Sequence, residues 1–185
     1  MKFLIDTSSL SVLVRYYIPF EKADSLKNLL KSKITSGEII LLDKVVEESR
    51  FVSKKIIVKT LDFLLDKKLQ TKTDNLLPYP KFYNMLENEF ANHIQKGKLN
   101  DIEFEAEKNR YLNTADVKFL LYCLEEKKNL EIDKTVLVTE ETATDNDNKT
   151  FKKLPQICQM KDIPCCNIVE LFQNHFNIKM SDYLI

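Results

Sequence analysis

The 185-residue chain contains no tryptophan, only two glycines and four cysteines, two of them adjacent (Cys165 and Cys166). So little glycine excludes a collagen-like repeat. Four cysteines in that arrangement make no disulfide framework of the secreted kind. No apolar run approaches the roughly 20 residues that cross a bilayer, so no membrane partner is expected. The apolar start is broken by Asp6 almost at once, which does not suit a signal peptide. Charge of neither sign is in excess, since 28 Lys+Arg face 28 Asp+Glu. A chain balanced in this way is not expected to grip nucleic acid by bulk electrostatics. What is present is apolar: 44% of the residues are hydrophobic, which excludes a disordered chain. At this length one domain over residues 1–185, cytoplasmic and burying roughly 70% of its unfolded surface, is the expectation.

Hydrophobic periodicity places the elements. Lys2-Phe3-Leu4-Ile5 reads as a first strand, stopped by Asp6-Thr7-Ser8-Ser9, a cluster suited to capping a helix that runs to near Pro19. A helix over 21–34 closes at Gly37, and 38–42 reads as a buried second strand. From residue 43 or 44 to about 69 the apolar spacing predicts one more helix. Pro78 and Pro80 break the polar connection from Thr71 to Pro80. Two charged helices are predicted at 81–96 and 99–111, and an amphipathic one from Ala115 to about Lys127. A third strand at 135–138, a short helix at 155–160, a fourth strand at 165–168 and a helix at 169–176 complete the chain. Strands alternating with helices point to a three-layer α/β/α fold around a mainly parallel sheet of four or five strands. The 71–111 region then forms a helical insertion.

Acidic residues recur where such strands end. Asp6 follows the first strand, Glu47 and Glu48 lie one turn into the helix after the second, and Asp116 sits in the first turn of its helix. Glu140 and Glu141 follow the third strand, with Asp145 and Asp147 close behind. In an open parallel sheet the carboxyl ends of the strands share one edge, where ligands bind. Carboxylates converging there repel one another unless a cation joins them. Mg²⁺ or Mn²⁺ suits oxygen ligands and supports activation of a water at a phosphate being displaced.

Phe3-Leu4-Ile5-Asp6-Thr7-Ser8 resembles the opening of PIN-domain nucleases, and Val45-Val46-Glu47-Glu48-Ser49 the second motif of that family. Thr114-Ala115-Asp116 before an apolar helix resembles the third, and Val136-Leu137-Val138-Thr139-Glu140-Glu141 the fourth. The stretches 153–158 and 163–168 are similar to a PIN-like branch known mainly as a domain of unknown function. The resemblance spans nearly the whole chain in order. It implies a metal-dependent ribonuclease, often the toxin of a toxin–antitoxin pair. It makes Asp6, Glu48, Asp116 and Glu141 the catalytic, metal-binding set, with Asp145 or Asp147 an alternative to Glu141. Glu141 stands where the family more often has Asp. The segment from Thr71 to Tyr111 exceeds a compact PIN domain and could be an arm for a partner or for RNA. RNA is the implied substrate, and an antitoxin protein or a second copy of the chain stays open as a partner.

Each acid taken alone also has an ordinary role. Asp6 serves as a helix cap, and Glu47, Glu48 and Asp116 as first-turn acids favoured by the helix dipole. Thr7 and Ser8 are expected to hydrogen-bond a metal-held carboxylate or a phosphate at the helix N-terminus. Lys152 and Lys153, just past the acidic turn, are candidates for substrate contact. The cysteines have no metal spacing and read as core. Tyr16-Tyr17 and Tyr79, Phe82 and Tyr83 could stack on bases, with aromatic core the stronger expectation. The expected function is a Mg²⁺- or Mn²⁺-dependent endoribonuclease. The alternative is a non-catalytic PIN-like module for protein contact. A phosphatase with a second Asp two residues after the first is disfavoured, because Ser8 occupies that position.

Overall fold

A computed structural model describes residues 1–126, 134–143 and 148–185. Five strands, β1 (Lys2–Ile5), β2 (Ile39–Leu42), β3 (Gln70–Thr71), β4 (Thr135–Val138) and β5 (Cys165–Cys166), form one sheet in the order β3-β2-β1-β4-β5. Every pairing is parallel. The fold is therefore α/β with helices flanking a parallel sheet. The central strands are buried almost throughout, as strands covered on both faces must be. Because the chain builds outward from β1 to one side and returns through β4 on the other, the switch in strand order falls between β1 and β4. That is where an open parallel sheet leaves a crevice at its carboxyl edge.

Among the described residues, ten α-helical segments surround the sheet: α1 (Thr7–Val12), α2 (Ser25–Thr35), α3 (Asp43–Ser49), α4 (Ile56–Thr60), α5 (Pro80–Met85), α6 (His93–Lys96), α7 (Asp101–Leu112), α8 (Ala115–Glu126), α9 (Leu154–Met160) and α10 (Ile168–Glu170). Gly37 closes the turn after α2 with φ +75°, a conformation that a side chain would strain. Among the described residues no helix is long and apolar enough to cross a membrane.

The single helix expected over 43–69 is instead broken. α3 stops at Ser49, Ser53 to Lys55 take positive φ, and α4 is followed by two 3₁₀ turns before β3. The buried Ile57, Leu61 and Leu64 carry helical spacing, yet the chain must turn back to set Gln70 beside Leu41. The β-branched run Ile56-Ile57-Val58 adds little helical preference to resist that turn. β5 is shorter than the 165–168 strand because Asn167 already caps α10, in a reciprocal box with Glu170.

The 71–111 insertion is not a projecting arm. Phe82, Leu86 and Phe90 are fully buried in the same core as Leu4 and Leu137. Tyr111 stacks on Phe151 with ring centroids 4.5 Å apart, and Ala91 bridges to Phe151. The insertion thereby forms one wall beside the carboxyl edge of the sheet.

Candidate metal centre

The register of β1 against β4 pairs Ile5 with Val138, so the next residues on each strand, Asp6 and Thr139, emerge side by side. Asp6 is buried and caps α1 by accepting the Thr7 N–H at 2.6 Å on Oδ1. Its Oδ2 accepts the Ser8 hydroxyl at 2.6 Å and the Thr139 hydroxyl at 3.0 Å. Those two hydroxyls in turn receive the backbone N–H groups of Glu140 and Glu141. One carboxylate thus fixes both the start of α1 and the loop leaving β4.

Glu48 arrives from α3. Val45, Val46 and Ser49 bury one face of that helix, while Glu47 points outward and pairs with Lys44 at 2.6 Å. Glu48 Oε1 accepts the Ala115 N–H at 2.8 Å, and Oε2 accepts the Thr7 hydroxyl at 3.4 Å. Burial raises the Glu48 carboxyl above its ordinary range, and the Asp6 charge adds to this against the two hydrogen bonds.

Asp116 opens α8 next to that contact. Burial pushes its carboxyl up to about 8, and the charges of Asp6, Glu141 and Glu48 all push the same way. Glu141 completes the group: its Oε1 lies 3.9 Å from Lys149 Nζ, and its Oε2 is buried with no hydrogen-bond partner among the described residues. The Tyr111 hydroxyl, also buried without a partner, has its acidity suppressed by burial first and then by Asp116 and Glu141. Tyr111→Phe removes an unsatisfied hydroxyl and is expected to stabilise the protein by about 1 kcal/mol, read from chemical denaturation; a clear loss of stability would mean that the hydroxyl has a partner.

The four predicted carboxylates therefore act on one another electrostatically at the carboxyl edge of the sheet. Among the described residues no group of three or more His, Cys, Asp or Glu side chains is already gathered tightly enough to enclose an ion. Mg²⁺ does not need such a cage, since it is usually held through one or two carboxylates with waters completing its octahedron. The Glu141 oxygen, buried without a partner among the described residues, and the Asp116 carboxyl, whose proton a bound cation would displace, suit a hard cation, and the all-oxygen donor set suits no softer one.

A cleft of about 400 Å³ opens beside this group, lined in part by Arg110, Tyr111, Asp116, Glu141, Lys149 and Lys153. Lys152 also lines it, but its ammonium is turned to the Glu89 carbonyl at 2.7 Å. Thr7 and Ser8 face the carboxylates rather than the cleft. Glu140 turns away to accept the N–H of Ile168 at 2.7 Å. Asp145 and Asp147 lie outside the described residues. The reading of the cysteines as core holds for Cys123, Cys158 and Cys166 but not for Cys165, which is exposed and shares a thiol hydrogen bond with Cys158.

Two residues of this centre are not among the predicted site residues. Thr139 could have been found by placing β1 and β4 in register, since it then stands opposite Asp6. Tyr111 lies in the last turn of a charged helix whose apolar spacing is weak. Residues 3–178 match the family model described as a domain of unknown function, DUF4411. No curated protein and no solved structure matches the chain.

Proposed function

With the chain belonging to that family of domains of unknown function, we propose that it is a Mg²⁺- or Mn²⁺-dependent endoribonuclease. The observation that carries this reading is the gathering of acids at the carboxyl edge of a parallel sheet, where Thr7 bonds both Asp6 and Glu48, Glu48 accepts the N–H of Ala115 beside Asp116, and Asp116 and Glu141 line one cleft. Acids gathered in this way beside a cleft that Arg110, Lys149 and Lys153 also line suit a site that serves a cation and an anionic substrate. Asp6, Glu48, Asp116 and Glu141 are the residues that would hold the metal. When bound, it supplies neutralisation of phosphate charge and acidification of a water.

The chain's own residues supply position. Thr7, Ser8 and Thr139 fix the carboxylate oxygens of Glu48 and Asp6, so that little reorganisation is needed during reaction. Arg110 and Lys153 line the cleft where the phosphate backbone of the substrate would lie. A toxin within a toxin–antitoxin pair fits such an activity, with the antitoxin as partner.

One observation favours a second reading, a non-catalytic module. Both oxygens of Asp6 and both of Glu48 already accept hydrogen bonds, one from each carboxylate serving a helix N-terminus, Thr7 N–H of α1 and Ala115 N–H of α8, and the others coming from the Ser8 and Thr7 hydroxyls. Titration separates the two. The nuclease reading expects saturable, heat-detected binding when Mn²⁺ is added to chelator-treated protein at pH 8, and RNA cleavage that EDTA stops. Absence of binding at millimolar Mn²⁺ would establish the module instead.

A further inference from the structure

Away from the cleft, α1 and the chain that follows α3 lead from the carboxylates to a second surface. At one end Thr7 meets Glu48. At the other, where the chain beyond α1 passes the turn after α3, the Arg15 guanidinium donates to the Ser53 hydroxyl. Eight residues of helix separate Thr7 from Arg15, roughly 12 Å at 1.5 Å per residue.

The side chains brought together there are unusual for this molecule. Phe51 is 83% exposed and Tyr16 64% exposed. Two of the chain's three arginines, Arg15 and Arg50, flank the rings, and Lys54 and Lys55 follow. Residues 7–20 and 49–61 contain five cations and no Asp or Glu, although the whole chain is balanced in charge. Among the described residues none of Arg15, Arg50, Lys54 and Lys55 is in an ion pair. Ile102, equally exposed, makes an instructive contrast, because Asp101 and Glu103 stand on either side of it.

Exposed rings interleaved with cations are what a single-stranded nucleic acid requires. Each base has a face to stack, and each phosphate a charge to meet. We propose that Arg15, Tyr16, Arg50, Phe51, Lys54 and Lys55 form a binding surface for single-stranded RNA that is continuous with the carboxylate centre. The inference rests on the nuclease reading for its substrate, and it adds that the substrate is unpaired and is held to one side of the scissile bond. An acidic protein segment would match the charge. It would have no use for the exposed rings or for the continuity with Asp6 and Glu48, so nucleic acid is the occupant the surface favours.

The test measures binding apart from cleavage. A labelled single-stranded RNA of about 12 nucleotides, within the roughly 4–16 such surfaces occupy, is titrated into the full chain in EDTA. Phe51→Ala and Tyr16→Ala are each expected to weaken binding by roughly 5- to 100-fold, in line with the loss of one base–ring stack. Lys54→Glu is expected to flatten the dependence of affinity on salt by about 0.7 in log–log slope for each phosphate left without its cation. These side chains are exposed, and an unchanged circular dichroism spectrum keeps a failure to fold out of the comparison. Equal affinity for wild type and variants, tighter binding of duplex RNA, or binding of a polyglutamate peptide in place of RNA would each overturn the proposal. Cleavage is scored separately on a dinucleotide too short to reach the surface. If the surface binds RNA and nothing is cleaved, the nuclease reading fails alone; if the dinucleotide is cleaved and the surface variants bind RNA normally, this inference fails alone.

Discussion

Asp6→Asn is expected to lower RNA cleavage by at least about a hundredfold, the scale of removing one preorganised charge from an active site, while the protein stays folded. The substitution changes charge more than shape. An asparagine oxygen can still accept the Thr7 N–H that Asp6 Oδ1 now takes at 2.6 Å, so α1 keeps its cap. On the other side a carbonyl-like acceptor becomes an NH₂ donor facing Ser8 and Thr139. Each hydroxyl already accepts a backbone N–H, from Glu140 or Glu141, so each has one lone pair left for the new amide and loses the carboxylate to which it donated. Loss of the Asp6 charge also removes a repulsion from Glu48 and Asp116. The relieved repulsion and the two lost hydroxyl–carboxylate bonds oppose each other, so thermal stability without metal should change little, while Mn²⁺ affinity and cleavage fall together. Cleavage at the wild-type rate by a folded Asp6→Asn protein would sink the proposed function.

How much of this centre was readable in advance depends on how each residue is tied to the sheet. Asp6 and Glu141 are within three residues of a strand end, and Asp116 and Glu48 lie in the first two turns of helices. Their place along the chain fixes their place in space once the strands are parallel. The choice of Glu48 over Glu47 was legible through Val45 and Val46, which bury one face of α3 and leave Glu47 to Lys44. Other features depend on contacts that no local pattern encodes. β3 is two residues long and exists because Leu41 and Leu42 offer it a partner. The apolar residues of 56–64 are spaced as in a helix but serve a chain that reverses twice. The burial of the 71–111 insertion depends on Phe82, Leu86 and Phe90 meeting a core assembled from both ends of the chain. Its charged surface pattern hides that.

Asp116→Asn is expected to make the metal-free protein more stable at pH 8 and to leave it nearly unchanged at pH 4. The Asp116 carboxyl lies at about 8 in the fold against 3.8 for the free group. The native state therefore holds a proton that the unfolded chain has released over that interval, and stability falls as pH rises through it. The contribution is whole below about pH 4 and gone above about pH 8. Asparagine behaves as a carboxyl that never ionises and so escapes the loss. Each pH unit carries at most about 1.4 kcal/mol, which bounds the gain at several kcal/mol. For a protein of this size that corresponds to a rise in melting temperature of roughly 5–10 °C at pH 8. Metal should narrow the difference. A cation bound at a hundred times its dissociation constant stabilises the native state by about 2.7 kcal/mol, and only the wild type retains the full ligand set to receive it. Melting curves of both proteins at pH 4 and pH 8, in EDTA and in Mn²⁺, give the comparison. If Asp116→Asn melts lower than the wild type at pH 8 in EDTA and Mn²⁺ moves neither protein, Asp116 is a structural cap and the four acids do not form a metal centre.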